Sequence, residues 1–342
     1  MIRVLRLLGL GDDNRVSVTH LSPDADRLRY ECGGNVDVDA LLDRGRFEVV
    51  DLLCGAVRAT PQRTGRLDVA FNAICDADTS GAALRRAGDL VERLGLPTLN
   101  HPSVVAATTR DGVAHSLAGT AGLVVPRTAR IRPDHPSDVV PLARAAGVEL
   151  PMLVRRVGAH GGIGLVLLTD EGTDPLEAFA FDGTPLYATQ FVDCSAPDGW
   201  TRKWRVLLLD GVPFHRHLLA TRDGWNVHAD RRPELVADAG LLAEDRAFAG
   251  GADAFPAELA AAIHRRLGLD FVGIDYGRDE AGRLVLFEAN ACVRMVVGTI
   301  QDHADYWQPP LRAIRDALGD LVERKAAEGR RTTGWAGDGG AP

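Results

Sequence analysis

Residues 284–290 read LVLFEAN, and the way this run ends decides how the rest of the chain is read. Four consecutive apolar residues, 284–287, specify a mostly buried strand. Glu288 and Asn290 follow, and positions i and i+2 of a strand share a face. A carboxylate and an amide therefore project together from a strand that is otherwise buried. An uncompensated buried carboxylate costs several kcal/mol, so a cation has to meet it. A second strand-like run, FVGIDYG at 271–277, precedes it across a turn containing Asp279-Glu280-Ala281-Gly282, which suits a hairpin. If the loop holds an even number of residues, Asp275 shares the face of Glu288 and Asn290. Two carboxylates and an amide make an incomplete oxygen shell suited to Mg²⁺ that also holds nucleotide phosphates. The same residues equally suit strand ends that are solvated or paired with arginines.

Two further stretches carry charge or conformational freedom. GAHGGIG at 158–164 lies between two strand-like runs, not between a strand and a helix, which excludes a P-loop or a dinucleotide turn. It reads as a hairpin flap whose backbone N–H groups can approach an anion without interference from Cβ atoms. Arg155 and Arg156 stand just before it. In TRKWRVLLLDG, Lys203 and Arg205 share one strand face, and cations on a strand heading into a core invite an anionic partner. His215 and His217 form an HxH pair with no third ligand nearby in sequence. Cys292 reads as a packed thiol, and His228 as either a substrate contact or a turn residue.

The chain of 342 residues is 46% hydrophobic and 25% charged, with a formal net charge of -8. That is ordinary for a globular protein, and no bulk positive field invites nucleic acid or an anionic membrane. Five scattered cysteines with no CxxC spacing fit a reduced, cytoplasmic setting. The opening MIRVLRLLGLG is too short to span a bilayer and reads as a first strand. In the first hundred residues RVLRLLGL, FEVVDLL and RLDVAFNAI read as strands, with VDVDALLDRG and SGAALRRAGDLVERLGL as helices and LPTLN as a short strand. This alternation predicts a parallel, Rossmann-like sheet, although no GxGxxG indicates a dinucleotide. PSVVAATTRDGVAHSLAGTAG reads as a helical bridge. Beyond it come strand-like runs, the amphipathic helix AELAAAIHRRLGL and the closing helix PPLRAIRDALGDLVERKAAEG. RRTTGWAGDGGAP has the composition of a disordered tail.

In this order the segments resemble the ATP-grasp superfamily over roughly residues 95 to 300. Within it the chain is most similar to the branch of ribosomal-protein glutamate ligases and glutathione synthetases. PMLVRRVGAHGGIG resembles the nucleotide-binding strand and its glycine flap, YATQFVD the hinge that reads adenosine, RKWRVLLLDG the strand with a phosphate-contacting arginine, and FVGIDYG with LVLFEAN the metal-binding strands. The resemblance implies an α/β (α+β) ATP-grasp fold behind an N-terminal Rossmann-like domain. The implied divisions are 1–100 for that domain, 101–125 for the helical bridge, 126–192 for the small subdomain with the flap, 193–328 for the C-terminal subdomain and 329–342 for the tail. It implies ATP and Mg²⁺, with Mn²⁺ able to substitute. Asp275, Glu288 and Asn290 become metal ligands; Gln190, Phe191, Val192 and Asp193 adenosine contacts; His160, Gly161 and Gly162 the flap over the phosphates. Arg205 becomes a contact to the transferred phosphate, and Arg294 a holder of a substrate carboxylate. Where the family places two phosphate-binding lysines, this chain offers Arg110 and Arg155. The implied activity is ADP-forming ligation of a small carboxylate to an amine, an amino acid or peptide, in a homodimer that binds neither nucleic acid nor membrane. A small-molecule kinase and a nucleotide-binding regulator with little turnover are the alternatives.

Overall fold

A computed structural model describes residues 1–21, 28–31, 33–36, 42–55, 65–162, 164–170, 172–177, 179–228, 232–291 and 305–332. The first sheet is parallel, in the order β4-β1-β5-β6. Its strands are β1 (Ile2–Gly9), β4 (Phe47–Cys54), β5 (Val69–Asn72) and β6 (Thr98–Leu99). All four answer the expected apolar runs. Helix α1 (Gly81–Leu94) links β5 to β6, burying Ala83, Leu84, Ala87, Gly88 and Val91 and ending at Gly95 in the left-handed region. A hairpin of β2 (Ser17–Leu21) and β3 (Leu28–Glu31) has no counterpart in the sequence reading. The helix expected in VDVDALLDRG lies partly outside the described residues, and its described end, 42–45, is not helical.

The helical bridge is broken in two: α2 (Pro102–Val105) and α3 (Arg110–Leu117). The second begins afresh because the Thr109 hydroxyl accepts from Gly112 N, placing Arg110 in its first turn. The central sheet is antiparallel, in the order β10-β9-β11-β8. It comprises β8 (Thr128–Ile131), β9 (Met152–Arg156), β10 (Val166–Leu168) and β11 (Leu186–Gln190), with α4 (Val139–Ala145) against it. The third sheet runs β13-β12-β14-β15-β7. Its strands are β7 (Leu123–Val124), β12 (Thr201–Leu209), β13 (Val212–Thr221), β14 (Phe271–Arg278) and β15 (Leu284–Asn290). Around it pack α5 (Arg232–Ala237), α6 (Ala239–Ala249), α7 (Ala257–Leu267) and α8 (Gln308–Thr332). The Ala-rich stretch that forms α5 and α6 carries little periodicity and is not read as helical from the sequence. The closing helix runs to Thr332, so 329–332 are helical, not tail; residues 333–342 lie outside the described set.

Two apolar cores result. The central sheet has its own, drawn from Ile131 to Ala188, whereas the first and third sheets share one continuous core. Phe71 stacks on Phe271 across that junction, with ring centroids 5.3 Å apart. Two buried asparagines at the ends of β5 and β6 complete it. Asn100 Nδ2 donates to Phe271 O at 2.8 Å, and its Oδ1 accepts from Phe271 N at 3.0 Å. Asn72 Nδ2 donates to Asn100 O at 2.9 Å, and Asn100 N donates to Asp270 Oδ2 at 2.6 Å. Asn100 holds φ at +50°, a region that Asn tolerates and most other residues resist.

Replacing Asn100 by Ala strands both backbone groups of Phe271 and leaves a strained φ. At about 1–3 kcal/mol for each buried unsatisfied group, the unfolding free energy is expected to fall by roughly 2–5 kcal/mol in a denaturant titration. An unchanged midpoint would show that the junction does not depend on this amide.

Candidate functional site

The hairpin of β14 and β15 leaves residues 279–283 between its strands, an odd number, which by itself turns Glu288 away from Asp275. A bulge corrects this. Tyr276 pairs with Leu286, but Asp275 pairs with Glu288, so Phe287 is the extra residue. Beyond the bulge Gly273 faces Asn290. The expected convergence of Asp275, Glu288 and Asn290 is therefore reached, by a route the sequence argument did not foresee.

The next strand extends the row, because Arg205 of β12 stands opposite Asp275. Its Nε and Nη2 donate to Oδ1 and Oδ2 of Asp275 at 2.5 and 2.7 Å, a two-pronged fork. Lys203 Nζ, on the same strand face, lies 3.7 Å from Asp275 Oδ2. On the other side Arg110 Nη2 donates to Glu288 Oε1 at 2.6 Å, and Asn290 Nδ2 donates to the same oxygen at 3.3 Å. Cations and carboxylates thus alternate across three strands and onto α3. Burial pushes the Asp275 carboxyl upward, but Arg205 and Lys203 outweigh it and hold the group below its ordinary value. Burial likewise acts upward on Glu288, yet Arg110, Arg205 and Arg155 overcome both it and the repulsion of Asp275. Both groups are ionised at neutral pH.

Arg155 of β9 is buried beside these charges, and burial, reinforced by Arg110, brings its guanidinium down to about 10. Its Nη2 donates to Ala159 O, whereas its buried Nε has no hydrogen-bond partner. Such an orphaned donor next to a second guanidinium is suited to an anion. The donor set next to it is all oxygen, two carboxylates and an amide, and fits a hard cation that takes its remaining ligands from a phosphate chain. Among the described residues no group of three His, Cys, Asp or Glu side chains could hold a metal.

The cleft in front of the row has a cavity volume of about 80 Å³, smaller than the ~300–1,000 Å³ of small-molecule sites. Arg110, Glu288, Asn290 and His160 all line it. His160 Nε2 lies 2.9 Å from Asp76 Oδ2. Gly161 and Gly162 have φ of +69° and +74°, and a Cβ on either would press on His228 or Asn226, so the flap requires glycine at both positions. The hinge residues lie outside the lining, which reaches only to Thr189. Gln190 spends its amide on the neighbouring chain: Oε1 accepts from Glu149 N and Nε2 donates to Pro151 O. Phe191 meets Trp225 edge-on, Cys194 Sγ donates to Val192 O, and exposed Asp193 accepts from Ser195 N. Arg294 and Cys292 lie outside the described residues. His215 accepts from Phe255 N and tilts against Phe248, and His217 tilts against Trp307, so the HxH pair is engaged in packing.

Sequence reasoning missed the loop that follows β5. Asp78 accepts from the buried Tyr187 hydroxyl at 2.8 Å and from Arg130 Nη2 at 2.7 Å, and Arg130 also reaches Asp111 of α3. Asp76 accepts from Asp78 N, Thr79 N and Thr79 Oγ1 as well as meeting His160. The signal was present in CDADTS: two carboxylates just past the carboxyl end of a parallel strand, where open α/β sheets place their ligands.

The Asp76 hydrogen bond outweighs burial and raises His160, while burial acts upward on Asp76 but loses to His160 and Thr79, leaving it lowered. The histidine's share of stability is complete below about pH 6.5 and is lost as pH rises through its raised value. The aspartate's share is present above about pH 3.9 and is lost as pH falls through its lowered value. The stability difference between wild type and His160→Gln is therefore expected to be largest between about pH 4 and 6.5 and to shrink above that. Chemical unfolding across this range tests it, and a flat difference would count against the pair.

No family model and no curated protein sequence matches the chain. Solved structures do resemble it. A D-alanine-D-alanine ligase from Coxiella burnetii superimposes with a TM-score of 0.56 at 11% identity, over 97% of both chains. One from Bacillus anthracis gives 0.52 at 12% identity, over 98% of this chain and 100% of the other. A D-Ala:D-Ser ligase from Enterococcus faecalis gives 0.53 at 14% identity, over 94% and 99%. The parallel sheet, the antiparallel flap-bearing sheet and the carboxylate-bearing sheet together make an ATP-grasp fold, shared with these ligases.

Proposed function

We propose that this protein is an ATP-dependent carboxylate–amine ligase releasing ADP and phosphate. The observation that carries the reading is the alternating row of Arg205, Asp275, Glu288 and Arg110, with Asn290 beside it. Asp275, Glu288 and Asn290 would hold Mg²⁺, which when bound neutralises charge on the phosphate chain. Arg110 and Arg205 would turn from carboxylates toward phosphate oxygens, and the orphaned Nε of Arg155 supplies a donor already in place. In this class of reaction a substrate carboxylate takes the γ-phosphoryl group of ATP, and an amine then displaces phosphate from the acylphosphate. No protein nucleophile is needed, since positioning and charge neutralisation lower the barrier. The flap would exclude water from the acylphosphate, and Arg294 would hold a substrate carboxylate.

The similar folds belong to proteins named as ligases of D-alanine with D-alanine or D-serine, which favours amino acids or short peptides as both substrates. A cytoplasmic setting agrees with Cys54 and Cys194, both buried and free. Among the described residues no helix is long and apolar enough to cross a membrane.

The test is ADP release from Mg²⁺-ATP with pooled amino acids and dipeptides. ADP should require both a carboxylate and an amine, and Glu288→Gln should lower turnover by about 100-fold or more. Release with a hydroxyl compound alone would identify a kinase instead. Nucleotide binding with no ADP from any mixture would identify a regulator.

A further inference from the structure

The flap residues 158–162 are gripped by all three sheets' neighbourhoods. From the central sheet, Arg155 Nη2 donates to Ala159 O and Ala159 N donates to Arg156 O. From the loop after β13, Asn226 and His228 lie against Gly162 and Gly161. From the loop after β5, Thr79 approaches Gly158 so closely that a Cβ there would sit 2.7 Å from its Cγ2, and Asp76 meets His160. The two partners of that last contact differ in freedom. Asp76 is a fixed post, buried and held by two backbone N–H groups and the Thr79 hydroxyl. His160 has a half-exposed side chain on a glycine-rich segment and can swing away. The charged groups facing His160 are Asp76 from the β5 loop, Glu288 from β15 and Arg110 from α3, with His228 across Gly161.

We propose that Asp76 is a positioning residue: by holding His160 it latches the glycine flap shut over the Arg110–Glu288 cleft, so that the N-terminal domain controls flap opening. The carboxylate does not touch the row of charges itself; it acts through the histidine. Because the post belongs to the loop at the carboxyl end of β5, any movement of that loop on binding a substrate is passed to the flap. The inference rests on the ligase reading only for what the closed flap covers.

Hydrogen exchange of the full-length protein, read on peptides covering 157–162, tests the latch. His160→Ala and Asp76→Asn should each speed flap exchange by about tenfold, the loss of one charge-assisted hydrogen bond. Asparagine keeps the oxygen that binds the Asp78 and Thr79 N–H groups, so exchange in β5 and α1 should change little. The double variant should exchange no faster than the quicker single, because both remove the same contact. His160→Gln, which keeps a donor, should recover part of the protection. Unchanged flap exchange in His160→Ala, or fully additive effects in the double variant, would overturn the proposal. Mg²⁺-ADP dissociation, followed by tryptophan fluorescence, separates the two readings. Faster dissociation in His160→Ala supports a latched flap over nucleotide. Faster exchange with unchanged dissociation supports the latch and overturns the nucleotide as what it covers.

Discussion

A carboxylate in the middle of a five-stranded sheet is the constraint from which the rest of this structure follows. Asp275 is buried on β14, and Arg205 on the adjacent strand meets it with both prongs of its guanidinium. Removing one partner of such a pair costs about 3–5 kcal/mol, because the other charge is left buried and uncompensated. Glu288, next in the row, raises the same difficulty and is met by Arg110 from α3. The electrostatic need of two carboxylates thus fixes the register of three strands and the place of the helical bridge.

A second point of convergence lies across the cleft. The loop after β5 sends Asp78 to Tyr187 and Arg130 of the central sheet and Asp76 to the flap, while Arg130 reaches Asp111 on the bridge. Buried polar networks of this kind hold their geometry because every lost bond leaves a desolvated group behind. The central sheet has its own apolar core, so these polar contacts, not a shared hydrophobic interior, fix it against the loop after β5. Polar attachment suits a part that has to open and close, whereas the continuous core beneath the first and third sheets suits one that does not.

On the ligase reading, a self-neutralised row has a chemical consequence. The guanidiniums now facing carboxylates would turn to phosphate oxygens, and the carboxylates would turn to a divalent cation. Either exchange alone leaves one partner uncompensated in a partly buried site, while both together keep the charge balanced. Arginine where lysine is usual adds a planar fork that can hold a flap carbonyl and still offer a free nitrogen, as Arg155 does.

The sequence by itself determined the strands of the three sheets apart from β7, which lies in the stretch read as a helical bridge, the parallel character of the first sheet implied by β and α alternation, the glycine flap, and Glu288 with Asn290 on one face. These are local properties: strand periodicity, apolar runs and the backbone freedom of glycine act over a few residues. The closing helix ran three residues past the end of its expected stretch, and α5 and α6 went unread because Ala-rich sequence carries little periodic contrast. Only the tertiary structure decided that Asp275 and Glu288 meet, since a five-residue loop separates them wrongly and the Phe287 bulge restores the register through pairing that no short window encodes. The same holds for Gln190, whose amide is taken by a distant loop, and for Asp76 and Asp78, whose partners lie 84 and 109 residues away. Charge pairing across such separations depends on where the sheets are stacked, and that is set by cores that form from the whole chain at once.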